Sequence, residues 1–198
     1  MGASADAITM QKRQGGLLSR RRFMTLPAVA AVSAGGSAST HARKGKKKPK
    51  TVSVTRTFLN DGQIRIPAND GGQGAANPYP AAITVEDFPG VVTSVTVTLK
   101  GISHDESREV EVMLAKDTTN AVLMGLAGFD ETMAGVTLMF DDAATNALPQ
   151  ATTIISGRYQ PTNFIPLVNL KDYFRAPAPL PSSNTRLSAF RGLGANGA

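Results

Sequence analysis

The chain has 198 residues, a formal net charge of +6 and no cysteine. That length suits one domain with appendages and a core of ordinary size, and the missing cysteines exclude disulfides, thiolate nucleophiles and cysteine-ligated zinc. From Thr57 to Ala198 there are 9 basic against 14 acidic residues, a balance of −5, so the basicity is N-terminal and no nucleic-acid footprint is expected on the body.

In chain order, the first feature is "SRRRFM", Ser19 to Met24, followed by the apolar, small-residue run "TLPAVAAVSAGGSAS". Basic, then apolar, then small residues is the layout of an export signal. The apolar part is too short to anchor in a bilayer, which takes about 20 residues, so no transmembrane anchor is expected. Arg20, Arg21 and Phe23 stand in the register of a bacterial twin-arginine signal, with Met24 in the leucine position. Residues 1–42 are therefore expected to be a signal that lies disordered outside the domain, cut after Ala42 or near Ala38. A solvated basic tail is the alternative, but it has no need of the apolar run. "RKGKKKPK", 43 to 50, carries six positive charges. It reads as a solvated linker, with electrostatic attachment to an anionic cell surface as the competing use. Residues 43–56 are assigned to this linker and a first strand, and 57–198 to the domain.

The body reads as β. "TVSVTRTF" alternates Val52, Val54, Arg56 and Phe58. "SVTVTLKG" sets Val95, Val97 and Leu99 on one face, and "GVTLMF" does the same with Val136, Leu138 and Phe140. "EVEVMLA" points Val110, Val112 and Leu114 inward and Glu109 and Glu111 outward. Such period-two alternation predicts half-buried antiparallel strands. "NDGGQGAANPYP", "EDFPG", "DTTN" and "NALP" supply the turns between them. The expected fold is an all-β antiparallel sandwich or jelly roll. "APAPLPSSNT" reads as an extended surface connection, and "RLSAFRGLGANGA" offers only Leu187 and Phe190 as apolar material.

Chemistry is scarce. A hydrolytic triad needs a nucleophile, a base and an orienting acid, yet the region after the signal holds a single histidine, His104, and no Gly-x-Ser-x-Gly elbow. His104 follows a strand in "GISHDES" and reads as a turn residue. Histidine-based metal sites need more ligands than this. "NDGG" lacks the Lys-Ser/Thr element of a phosphate loop. Asp141 and Asp142, at the end of "VTLMFDD", are sequence neighbours that point to opposite faces if extended, which is wrong for a glycosidase pair across a cleft. Calcium, which takes oxygen ligands from loops, is the cofactor to consider. Its candidate ligands are Asp141, Asp142 and Asp130, then Glu131, Asp117 and Asp70, against the plainer reading of solvated loop carboxylates.

Four segments, in order, resemble the proprotein-convertase P domain (P/Homo B type) in its bacterial secreted form. They are "IPANDGG" with "NPYPAAITVEDFPGVVTSVTVTLKGISH", "EVEVMLAKDTTNAVLM", "GVTLMFDDAATNALP" and "SGRYQPTN". The resemblance runs from about Phe58 to Asn163. It implies a galactose-binding-like sandwich that is not itself catalytic and that supports a subtilisin-like protease, with Asp141 and Asp142 in a structural or ion-binding loop. The chain departs from the pattern at Glu109-Val110, where Asp-Leu is usual, and at "KDTTN". It also lacks tryptophan, so the family's closing Trp-containing strands are expected to be missing. The reading is an exported, non-catalytic accessory or binding module. Its alternatives are an accessory domain for a separate secreted protease and a structural cell-surface component.

Overall fold

The structure is a computed structural model that describes residues 7–12, 29–38, 52–66, 74–88, 90–165, 174–182 and 184–197. Its strands are β1 (Ala7–Lys12), β2 (Val29–Ala38), β3 (Val52–Asn60), β4 (Gly74–Ala75), β5 (Ala81–Ala82) and β6 (Val91–His104). β7 (Val110–Lys116), β8 (Thr119–Gly125), β9 (Met133–Phe140), β10 (Gly157–Tyr159) and β11 (Thr162–Asn163) follow. The fold is all-β. Its helical pieces, among the described residues, are short 3₁₀ turns such as Ser107–Glu109 and Leu187–Phe190. No described helix is long and apolar enough to cross a membrane.

The strands form two sheets. One runs β11-β8-β7-β1-β4, with β5 also paired to β1, and the other runs β10-β9-β6-β2-β3. Both sheets feed one apolar cluster. Val97, Leu99, Leu138 and Phe140 enter it from the second sheet, and Val110, Val112, Leu114 and Leu123 from the first. Alternation places them there: on β6 the buried Val95, Val97 and Leu99 alternate with half-buried or exposed Ser94, Thr96 and Thr98. Phe58 of β3 packs against the same cluster and meets Phe88 edge-on, ring centroids 5.9 Å apart. Burying one such side chain contributes about 1.5–3 kcal/mol, so β6, β7 and β9 define the core.

Three expectations need correction. First, the N-terminal segment was expected to lie disordered outside the domain, but two stretches of it are strands. β1 pairs with β7 from Ala7↔Ala115 to Lys12↔Val110. β2 lies between β3 and β6, paired from Ala30↔Asn60 to Ala38↔Val52 on one side and from Val29↔Lys100 to Ser37↔Val91 on the other. An apolar run of this length fits a signal or a strand equally well, because periodicity alone does not separate them. The register breaks between Gly35 and Gly36, where glycines accommodate a bulge most easily. Arg20, Arg21 and Phe23, the "RKGKKKPK" tract and Asp70 lie outside the described residues.

Second, the sheets are mixed rather than purely antiparallel, because β10 runs parallel to β9 and β11 parallel to β8. Parallel neighbours need a crossover of about a dozen residues or more, and residues 141–156 supply one between β9 and β10. The chain then passes from the second sheet to the first at Gln160-Pro161. Third, Glu109 and Glu111 do not face solvent. They are 6% and 0% exposed, and both are engaged in polar interactions. Tyr79 feels the charge of Glu111, and its hydroxyl donates to the Arg175 carbonyl at 2.8 Å. Alternation identifies the two faces of a strand, but it carries no information about distant chain that covers the outer one.

The C-terminal stretch holds no regular strand among its described residues, but it is bonded to the sandwich. Asn184 accepts from Val122 N–H on β8, and Asn120 bonds Leu180 and Ser182. The 3₁₀ turn Leu187–Phe190 packs against both β6 and β8, with Leu187 and Phe190 buried in the core. Beyond it, Gly192 and Leu193 exchange backbone hydrogen bonds with Val92, and Gly197 does so with Val85. This irregular chain adds to the core without a regular strand among its described residues.

Candidate functional site

The strand end at "FDDAATNALP" is where the candidate carboxylates fall, and each has a separate task. Phe140 is the last residue of β9 and is fully buried, so the chain emerges from the core at Asp141. Asp141 Oδ1 accepts from Ala143 N–H at 2.8 Å, closing a tight turn. Its Oδ2 takes two hydrogen bonds from the Arg158 guanidinium, at 3.2 and 2.7 Å. Partial burial alone would raise the Asp141 pKa, but the Ala143 N–H and the Arg158 charge outweigh it and leave the group below its ordinary 3.8. Arg158 belongs to β10, so this pair fastens the parallel edge strand to the end of β9.

Asp142 is a central residue of the turn that Ala144 N–H closes on the Asp141 carbonyl at 3.0 Å, and its carboxylate meets other partners. Its Oδ1 accepts from Leu187 N–H at 2.8 Å and its Oδ2 from Ser188 N–H at 2.7 Å. These are the opening N–H groups of the C-terminal 3₁₀ turn, which have no partner within the turn. A carboxylate there acts as a cap. Asp142 thus holds the segment that carries Leu187 and Phe190 into the core.

The rest of the loop is stitched to the returning chain. Gln160 N–H donates to the Asn146 carbonyl and Gln160 Nε2 to the Ala144 carbonyl, both at 2.8 Å. Leu148 N–H donates to Thr162 Oγ1 at 3.1 Å. Asp141 N–H donates to the Tyr159 carbonyl at 2.9 Å.

The other candidates are placed elsewhere. Asp130 forms an ion pair with Arg108. Glu131 accepts from Thr153 Oγ1 at 3.4 Å through its side chain and from Ser107 N–H at 3.0 Å through its carbonyl. Asp117 lies in the two-residue turn between β7 and β8 with φ 52°, a conformation Asp tolerates better than most residues. Among the described residues no group of three or more His, Asp or Glu side chains is arranged to hold a metal ion. The structure therefore does not bring Asp141, Asp142 and Asp130 together as one ligand set.

His104 is the last residue of β6, and its Nδ1 lies 2.8 Å from the Glu106 carbonyl oxygen and 3.1 Å from Glu106 N. It fastens its own turn. Next to it sits a pair that sequence reading missed, Glu106 and Glu109. Burial raises the pKa of Glu106, and the neighbouring charge and hydrogen bond of Glu109 add to the rise. Ser107, fully buried between them, donates from Oγ to the Phe129 carbonyl at 3.2 Å. Arg158 was also missed as a partner. The sole signal available was the single basic residue in "SGRYQPTN", and sequence spacing could not link it to Asp141.

No family model, curated protein or solved structure matches the chain.

Proposed function

We propose that this protein is an exported, non-catalytic binding or accessory module of the P-domain kind. One observation carries the reading: the polar groups that sequence analysis marked for chemistry serve the fold. Asp141 holds β10, Asp142 holds the C-terminal turn, Asp130 pairs with Arg108, and His104 closes its own turn. The order of the resembling segments supports it too. "SVTVTLKGISH" lies within β6, "EVEVMLAKDTTNAVLM" spans the β7–β8 hairpin, and "GVTLMFDD" leads through β9 into the loop. A module of this kind acts outside the cytoplasm, and its most specific partner is a separate secreted subtilisin-like protease.

The test is twofold. The full chain is screened for peptidase and esterase turnover, and immobilised on beads it is offered the secreted fraction of a bacterial culture. Turnover that disappears in His104→Ala overturns the non-catalytic reading. Recovery of a serine protease from the secreted fraction supports the protease-accessory form. Salt-sensitive retention on cell walls without a protease favours the cell-surface form, because screening weakens such attachment.

A further inference from the structure

β2 is a central strand. Residues 30–37 have hydrogen-bonded neighbours on both sides, β3 and β6, so their backbone is paired within the second sheet. The register sets the chemistry of this position. Ala30, Val32 and Ala34 stand directly opposite Leu99, Val97 and Val95, the core-facing residues of β6. These pairings fix the register of the backbone on that flank. On the other flank Val32 stands opposite Phe58 and Ala30 opposite Asn60.

The same ten residues, "VAAVSAGGSA", form most of the apolar and small-residue part of the export-signal pattern, and Ala38 is one of its two cleavage candidates. A translocation machine and a peptidase both need this stretch as free, extended chain. A strand paired on both edges has no free backbone groups to offer them. We infer that Val29–Ala38 has two mutually exclusive uses, export signal and central strand, so that seating it as β2 withdraws the signal and shields the small-residue bonds from cleavage. This inference rests on the export reading given above. It has a structural corollary. Cleavage after Ala38 or Ala42 removes β1 and β2 together, leaving β6, among the described residues, paired with β9 and β7 with β8, apart from the backbone contacts of the tail.

The experiment uses the full chain. Hydrogen exchange is followed at the amides of residues 30–37 and, as an internal standard, at 95–99 of β6. In parallel, a protease that cuts after small residues is applied to the native chain and to Val32→Pro, in which β2 loses a central N–H. The expected result is protection at 30–37 within about tenfold of the β6 standard, and cleavage within 29–38 at least tenfold slower in the native chain than in the variant. The exchange arm does not depend on the variant remaining folded. Separately, residues 1–42 are fused to a folded reporter, with and without Arg20→Lys and Arg21→Lys. Export that needs both arginines, together with protection in the native chain, supports the two uses. Export with unprotected amides at 30–37 overturns the shielding and leaves the export reading standing. Protection without export of the reporter overturns the export reading and, with it, the double use.

Discussion

Replacing Asp142 by alanine removes both acceptors from the C-terminal turn while leaving β9 and the rest of the loop in place. Two backbone donors, Leu187 N–H and Ser188 N–H, lose charge-assisted hydrogen bonds of 2.8 and 2.7 Å. Such bonds contribute about 1.5–3 kcal/mol each when well shielded. Asp142 is only half-buried, so water recovers part of the loss, and about 2–3 kcal/mol for the pair is the working figure. Asp142→Asn keeps one acceptor and should cost about half as much. Asp141→Ala removes the acceptor of Ala143 N–H and the pair with Arg158, whose side chain is 51% exposed, and should cost about 1–1.5 kcal/mol, since the ion pair is screened. The assay is equilibrium urea denaturation of the three variants, run in chelator and again in millimolar calcium. The expected result is the largest destabilisation for Asp142→Ala, with Asp142→Asn and Asp141→Ala both smaller, unchanged by calcium. If the two aspartates were calcium ligands, calcium at 100 times its dissociation constant would stabilise the parent by about 2.7 kcal/mol, and both alanine variants would lose that increment alike. Equal costs for Asp141→Ala and Asp142→Ala, or costs seen only with calcium present, would refute the capping argument.

Three further outcomes follow from the same geometry. Phe190→Ala should cost at least about 3 kcal/mol, the lower part of the range for a buried phenylalanine, read as a shift in the urea midpoint. A cost under about 1 kcal/mol would show that the tail does not close the core. Gly128 has φ 75°, and a Cβ there would run into Ser107 Oγ, so Gly128→Ala should lower the thermal midpoint well beyond an ordinary surface substitution. For Glu106 the folded pKa is raised, so its contribution favours the fold below the unfolded value and is lost as pH rises through the folded one. Glu106→Gln should therefore stabilise at neutral pH and gain nothing in acid, checked by thermal melts across that window. Asp141 has the opposite sign: its folded pKa is lowered, so its contribution is full above the ordinary 3.8 and is lost as pH falls through the folded value.

What the sequence made legible was local. Val95, Val97 and Leu99, and Val136, Leu138 and Phe140, could be placed on the core side because a strand's two faces follow from a period of two, and all six are buried. "DTTN" was recognisable as turn chemistry, and the turn falls at Asp117-Thr118. β8 itself, "TNAVLMG", was harder to see. Its side chains from Asn120 to Met124 are all buried, so it shows no alternation to detect. The same burial on both faces hid the fate of Glu109 and Glu111. For the candidate site, the strand end was visible but its partners were not. Arg158 lies 17 residues beyond Asp141, and Leu187 lies 45 beyond Asp142, and no periodicity spans those gaps.

The two aspartates also show why neighbouring residues in one motif need not share a function. The chain leaves β9 at Phe140 and turns at Asp142-Ala143, so the two carboxylates meet different neighbours. One side offers the edge strand β10 and its exposed arginine, so the contact there is a partly screened ion pair. The other side offers the N-terminal end of a 3₁₀ turn whose next residues reach into the core, so the contact there is a cap tied to apolar burial. Loss of Asp142 thus reaches Leu187 and Phe190, whereas loss of Asp141 reaches the turn at Ala143 and the edge strand β10. A shared ion would require both carboxylates to converge on one point, whereas one is bonded to the Arg158 guanidinium and the other to the Leu187 and Ser188 N–H groups.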